Sequence, residues 1–163
     1  MEGSQLDPSE WIARFRITHE KSKSGGLNEL ERKQYLGMRE ELARSLVNAQ
    51  SLSVPEGQNA RRHFRVAQLF QVEVKNLYKT VTRELSISGF SAMVGGELKG
   101  GESVPFQLTV TRGKDPVTGI AKVIGAVKAQ GAFRTNFEIE TISDANAEIL
   151  EVALFDAVLA RFK

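Results

Sequence analysis

Phe70, Val72 and Val74 alternate with Gln71, Glu73 and Lys75, and this two-residue period most constrains the fold. Such a segment buries one face and wets the other only when it is extended; wound as a helix, its apolar residues would scatter around the axis. Further strand-like runs follow at about residues 79–87, 89–94, 103–112, 117–129 and 132–141. Gly95-Gly96 and Gly100-Gly101 fall in a connection between two of them, and Lys114-Asp115-Pro116 suits a turn between another pair. Six short strands separated by turn signals predict a small closed antiparallel barrel or a sandwich. Closure has the advantage of leaving no strand edge exposed.

Upstream the period lengthens. Residues 1–50 read as helical, starting at Asp7-Pro8-Ser9-Glu10, with an Asp cap, Pro at the first helical position and acid in the first turn. Trp11, Phe15 and Ile12 share one face, and His19 falls in the polar end of this helix. Lys21-Ser22-Lys23-Ser24-Gly25-Gly26 breaks it. A second helix runs from Leu27 to about Gln50, with Leu27, Leu30, Met38, Leu42 and Leu46 as its stripe. The two helices predict a hairpin folded onto its neighbour; the alternative is a dimer seam or a docking surface for a protein partner. Too few heptads are present to require a coiled coil. Ser53-Val54-Pro55-Glu56-Gly57-Gln58-Asn59 reads as a linker, which puts the domain division at 1–55 and 56–163. Ser143-Asp144 caps a last helix to about Phe162, with Leu150, Leu154, Ala157, Val158 and Arg161 along one side, expected to cover one end or face of the barrel.

The chain of 163 residues is long enough for one domain with an appendage. Its 22 basic against 20 acidic side chains leave a net charge of +2, so any electrostatic function must come from local clustering. The absence of cysteine excludes disulfides and thiolate metal sites and fits a reducing compartment. The start MEGSQLDPSEW carries neither a basic nor an apolar leader region, and no stretch approaches a membrane span, so the expected location is the cytoplasm without membrane insertion. Two histidines, His19 and His63, form no H-x-x-x-H pair, and no nucleophile elbow, phosphate-binding loop or dinucleotide fingerprint occurs. These absences disfavour an enzyme, a metal centre or a resident cofactor and favour a binding module.

Two short motifs remain. Arg61-Arg62-His63-Phe64-Arg65 gathers three guanidinium groups just before the first strand. It reads either as a solvated basic segment or as an anion clamp, because guanidinium forks pair with phosphates, reach the O6/N7 edge of guanine and stack on purines. Glu84-Leu85-Ser86-Ile87-Ser88-Gly89 lies where one strand ends and the next begins. Its Ser followed three positions later by Gly suits a tight bend whose backbone approaches something closely. An acidic side chain two positions before the Ser can accept from a guanine N1/N2 edge. Direct binding of nucleic acid is disfavoured, because basic and aromatic residues are not interleaved as in single-strand readers.

Together, over about residues 58–163, the two motifs resemble those of the PilZ domain family, bacterial receptors for cyclic di-GMP. The family's R-x-x-x-R matches Arg61 to Arg65, and its [D/N]-x-S-x-x-G matches Glu84 to Gly89. Glu84 stands where the family has Asp or Asn, and Ser88 where a glycine is common. The resemblance implies a mainly β fold with helices: a six-stranded antiparallel barrel with a C-terminal helix, here preceded by the helical hairpin. It also implies a ligand, cyclic di-GMP, with Arg61 and Arg65 clasping phosphates and guanine faces, Arg62 assisting by charge, and Glu84, Ser86 and Gly89 on the barrel side. The expected function is a receptor, monomeric or homodimeric, that signals to a protein partner through residues 1–50. The alternative is an adaptor that works through protein contacts in motility, pilus or signalling machinery without the dinucleotide.

Overall fold

A computed structural model of the protein describes residues 8–51, 63–111 and 113–161. Asp7, the linker 53–59, Arg61, Arg62 and Phe162 lie outside the described residues. The chain forms two compact units, Arg65–Val158 and Met1–Phe64 with Leu159–Lys163.

In the first of these units the alternating segments become six strands: β1 (Gln71–Val74), β2 (Tyr78–Leu85), β3 (Gly89–Val94), β4 (Ser103–Thr109), β5 (Val117–Ala129) and β6 (Ala132–Ile142). All neighbours are antiparallel, in the order β1-β2-β3-β6-β5-β4, and β1 also pairs with β4 to close the ring. Of the two architectures the pattern allowed, the chain adopts the closed barrel. Val72 and Val74 point inward, as the alternation requires, alongside Leu85, Val94, Val104, Leu108 and Val123. At the centre Phe90 lies between Phe106 and Phe137, with ring centroids 5.6 and 4.8 Å away.

Turn chemistry sets the register. Gln130 and Gly131, at φ 52° and 84°, form the two-residue connection between β5 and β6 and seat Ala129 opposite Ala132. The β5–β6 register shifts twice, at Ile120/Ala121 and Val123/Gly125, and the second shift leaves Ile124 outside the ladder and exposed. Two helices, α1 (Pro8–Lys23) and α2 (Glu29–Ser51), precede the strands in sequence, and a third, α3 (Asp144–Leu159), follows β6. Ser143 caps α3 by accepting from Asn146 N at 3.1 Å, and the Asn146 amide reaches Thr118 on β5 at 3.4 Å. α3 buries Leu150, Ala153, Leu154, Phe155, Ala157 and Val158, more of its circumference than one stripe; Arg161 lies past its end and is exposed.

The other unit contains α1 and α2, joined by a glycine-containing turn. Gly25 (φ 76°) and Gly26 return amides to Ser22 O and Lys21 O, a left-handed ending that suits glycine. Asn28 and Glu31 then cap α2 reciprocally, Glu31 N to Asn28 Oδ1 at 2.8 Å and Asn28 N to Glu31 Oε1 at 3.0 Å. The Asn28 amide and then the Lys21 ammonium hold the Glu31 carboxyl below its ordinary pKa. The faces differ from those the sequence predicts. On α1 Trp11, Phe15 and His19 follow one another at four-residue spacing, and His19 is fully buried, its Nδ1 2.6 Å from Tyr35 Oη. On α2 the buried positions are Tyr35, Arg39 and Leu42, with Arg39 over the Tyr35 ring at 5.3 Å; Leu30, expected in the stripe, is 64% exposed. No helix of the described residues is long and apolar enough to cross a membrane.

Gly119 lies opposite Phe106, whose ring covers the space a side chain would need. A methyl group there meets the Thr141 carbonyl and the Phe106 ring edge at 2.9 Å, whereas at Gly125 it meets nothing within 4 Å. Chemical denaturation should therefore show Gly119→Ala losing about 1–3 kcal/mol, with Gly125→Ala changed much less.

Candidate functional site

The chain enters the barrel through an alternation that starts before β1. Phe64 and Val66 are buried and Arg65 between them is exposed. Val66 and Leu85 exchange both backbone hydrogen bonds, each 2.9 Å, which fixes Arg65 beside the end of β2. There Arg65 Nη1 donates to Glu84 Oε1 at 3.0 Å, with both side chains nearly half exposed. The last arginine of the first motif and the first residue of the second therefore meet, 19 positions apart in sequence.

Beyond Glu84 the chain turns sharply into β3. Ser86 N donates to Gly89 O at 2.9 Å, and the Ser86 hydroxyl oxygen accepts from the amides of Ser88 and Gly89, both at 3.2 Å. Ser88 Oγ stands 3.1 Å from the same oxygen. The small, hydrogen-bonding residues of the motif thus build the bend, and Ser86 is buried within it. Gly89 meets a different demand. A methyl group on it would strike the carbonyl oxygen of Phe137 on β6, because the two strands close together there in the pairing Gly89↔Glu138.

Arg65, Glu84, Ser86 and Gly89 line one open groove of about 320 Å³ on the outside of the barrel. The facing wall includes Ser91 on β3, Asn136 and Glu138 on β6 and Ile124 on β5. The site therefore offers a guanidinium at its mouth, a floor of small residues, and carboxylate, carboxamide and hydroxyl groups along one side. Such a set suits a planar, hydrogen-bonding, anionic ligand.

No protein-family profile matches the sequence, and no curated protein is similar to it. Solved structures are. The Bacillus subtilis inhibitor of motility MotI/DgrA superposes with a TM-score of 0.56 at 14% identity, covering 66% of this chain and 57% of that one. The PilZ domain of Escherichia coli YcgR, solved with c-di-GMP, gives 0.53 at 15% identity over 63% of this chain and 95% of the domain. The chain has a PilZ-type fold. YcgR from Escherichia coli in complex with c-di-GMP gives 0.51 at 19% identity, and there the match spans 46% of the neighbour's length.

In this PilZ-type barrel the two motifs account for one side of the groove only. Ser91, Ile124, Asn136 and Glu138 escaped the sequence reading, because strand alternation says which way a residue points and not which strand lies beside it. The one sequence signal for the β6 pair is its spacing of two, which puts Asn136 and Glu138 on one face. Since Ser86 Oγ serves two amides, Ser86→Ala should cost about 1–3 kcal/mol in chemical denaturation, and Ser86→Thr, which keeps the acceptor, should recover part of it.

Proposed function

We propose that the protein is a bacterial cyclic di-GMP receptor that acts in the cytoplasm without catalysing a reaction, binding the dinucleotide in the groove between Arg65 and β6. The observation that carries this reading is the meeting of Arg65 and Glu84 over the bend formed by Ser86 to Gly89, on a barrel of the fold that in YcgR is solved with c-di-GMP. Arg65 takes a phosphate or a guanine face, and Arg61 and Arg62 close over the ligand from the preceding segment. The Ser86 bend and Gly89 keep the floor low enough for a flat base. Ligand binding then favours one arrangement of the chain over another, and residues 1–50 pass that change to a protein partner.

Calorimetric titration with cyclic di-GMP decides the matter. Binding is expected, and Arg65→Ala should weaken it by about tenfold to a hundredfold, the value of one charge-assisted hydrogen bond. No heat at protein concentrations of about 100 μM, adequate for micromolar affinities, rules the receptor out.

An adaptor that binds a protein instead of the dinucleotide is favoured by one observation: Ile17 on α1 and Leu30 on α2 are 68% and 64% exposed. On that reading Ile17→Glu with Leu30→Glu abolishes co-purification with the partner, and Arg65→Ala leaves it intact. The opposite pattern excludes it.

A further inference from the structure

Most polar groups of the motif side are already engaged. Glu84 is paired with Arg65, and the hydroxyl oxygen of Ser86 is taken by the amides of its own bend. On the opposite wall the situation is different. Asn136 and Glu138 both line the groove, and among the described residues neither side chain has a hydrogen bond or an ion pair.

Register gives these two side chains room. Towards β3, Glu138 faces Gly89 and Asn136 faces Ser91; towards β5, Asn136 faces Gly125 and Glu138 faces Lys122, with which it forms no ion pair. Small residues therefore flank the pair at three of its neighbouring positions, so a flat ring can lie across β3 with its edge against β6. Ile124, pushed out of the ladder by the register shift beside it, is 55% exposed and lines the same groove, where it can cover a ring face.

The chemistry of the pair selects among bases. A carboxylate only accepts, and it takes two parallel N–H donors best. Guanine presents such donors at N1 and N2, with the acceptor O6 beside them. A carboxamide adjacent to the carboxylate can donate to that O6. Adenine places a lone pair at N1, which faces the carboxylate unfavourably and leaves it unsatisfied. We propose that Asn136 and Glu138 are the guanine-reading edge of this groove, Glu138 accepting from N1–H and the 2-amino group and Asn136 donating to O6. The proposal rests on the reading of the groove as a cyclic dinucleotide site and assigns its base selectivity to β6.

Titrating the full chain with cyclic di-GMP, cyclic di-AMP and the hypoxanthine analogue cyclic di-IMP, which lacks only the 2-amino groups, tests it. The wild-type chain should prefer cyclic di-GMP to cyclic di-IMP by about tenfold, and cyclic di-AMP should bind most weakly. Glu138→Ala should bring the di-GMP to di-IMP ratio close to one. Asn136→Ala should weaken both ligands alike, because both carry O6. A ratio within one protein is insensitive to partial loss of folded material, and Glu138→Gln, keeping one acceptor, should give an intermediate ratio if the alanine variant does not fold. A wild-type ratio retained in the Glu138 variants overturns the assignment while leaving the receptor intact. A wild-type chain that binds no dinucleotide overturns both.

Discussion

β3 and β6 approach so closely at Gly89 that the Phe137 carbonyl oxygen occupies the space of a side chain. Core and groove both depend on that approach. It fixes the register that puts Phe90 opposite Phe137 inside the barrel and Ser91 opposite Asn136 outside it. Because strand side chains alternate strictly, a slip of one residue would exchange these faces, exposing the aromatic stack and burying the amide. The glycine of the bend thus contributes geometry first. Ser86, holding two amides of the same bend, contributes in the same way. Groove chemistry is then left to side chains that have no part in building the turn.

The pairing of Arg65 with Glu84 is a different kind of interaction. With both side chains nearly half exposed, it belongs to the class of surface ion pairs worth about 0–1 kcal/mol. That is too little to hold the barrel together and too little to block a ligand. A phosphate offers the guanidinium a bidentate partner, so on the proposed reading the ligand takes Arg65 over from Glu84. Glu84, at the position the family pattern gives to Asp or Asn, holds the guanidinium at the mouth of the groove.

Fold was legible wherever the signal was local and periodic. Alternation from Phe70 onward, glycine turns and the Ser143 cap sufficed for six strands and the last helix, with boundaries shifted by a few residues: β4 ends at Thr109 and α3 at Leu159. The helical half misled at its polar residues. His19 falls at the polar end of its helix in the sequence, where titratable side chains are usually solvated, yet its imidazole, bonded to Tyr35 Oη, is inside, as is the Arg39 guanidinium over the same phenol ring. The His19 bond needs a partner on the other helix, and no periodicity within α1 announces it. Leu30 erred in the opposite sense, since a three-or-four spacing admits it to the stripe while Tyr35, Arg39 and Leu42 define the face that is covered.

The candidate site divides along the same line. Residues that shape a bend must be neighbours in sequence, so Glu84 to Gly89 forms a motif that can be recognised as a string. Arg65 joins it through one backbone bridge, Val66 to Leu85, between short segments on either side of a single hairpin. Asn136 and Glu138 come from the strand that returns after β4 and β5 have been laid down, and only closure of the ring brings them beside β3. The shape of the groove is therefore encoded locally. If β6 reads the base as proposed, its selectivity is encoded non-locally, because a substitution at residue 138 leaves the bend, the glycine and the arginine untouched.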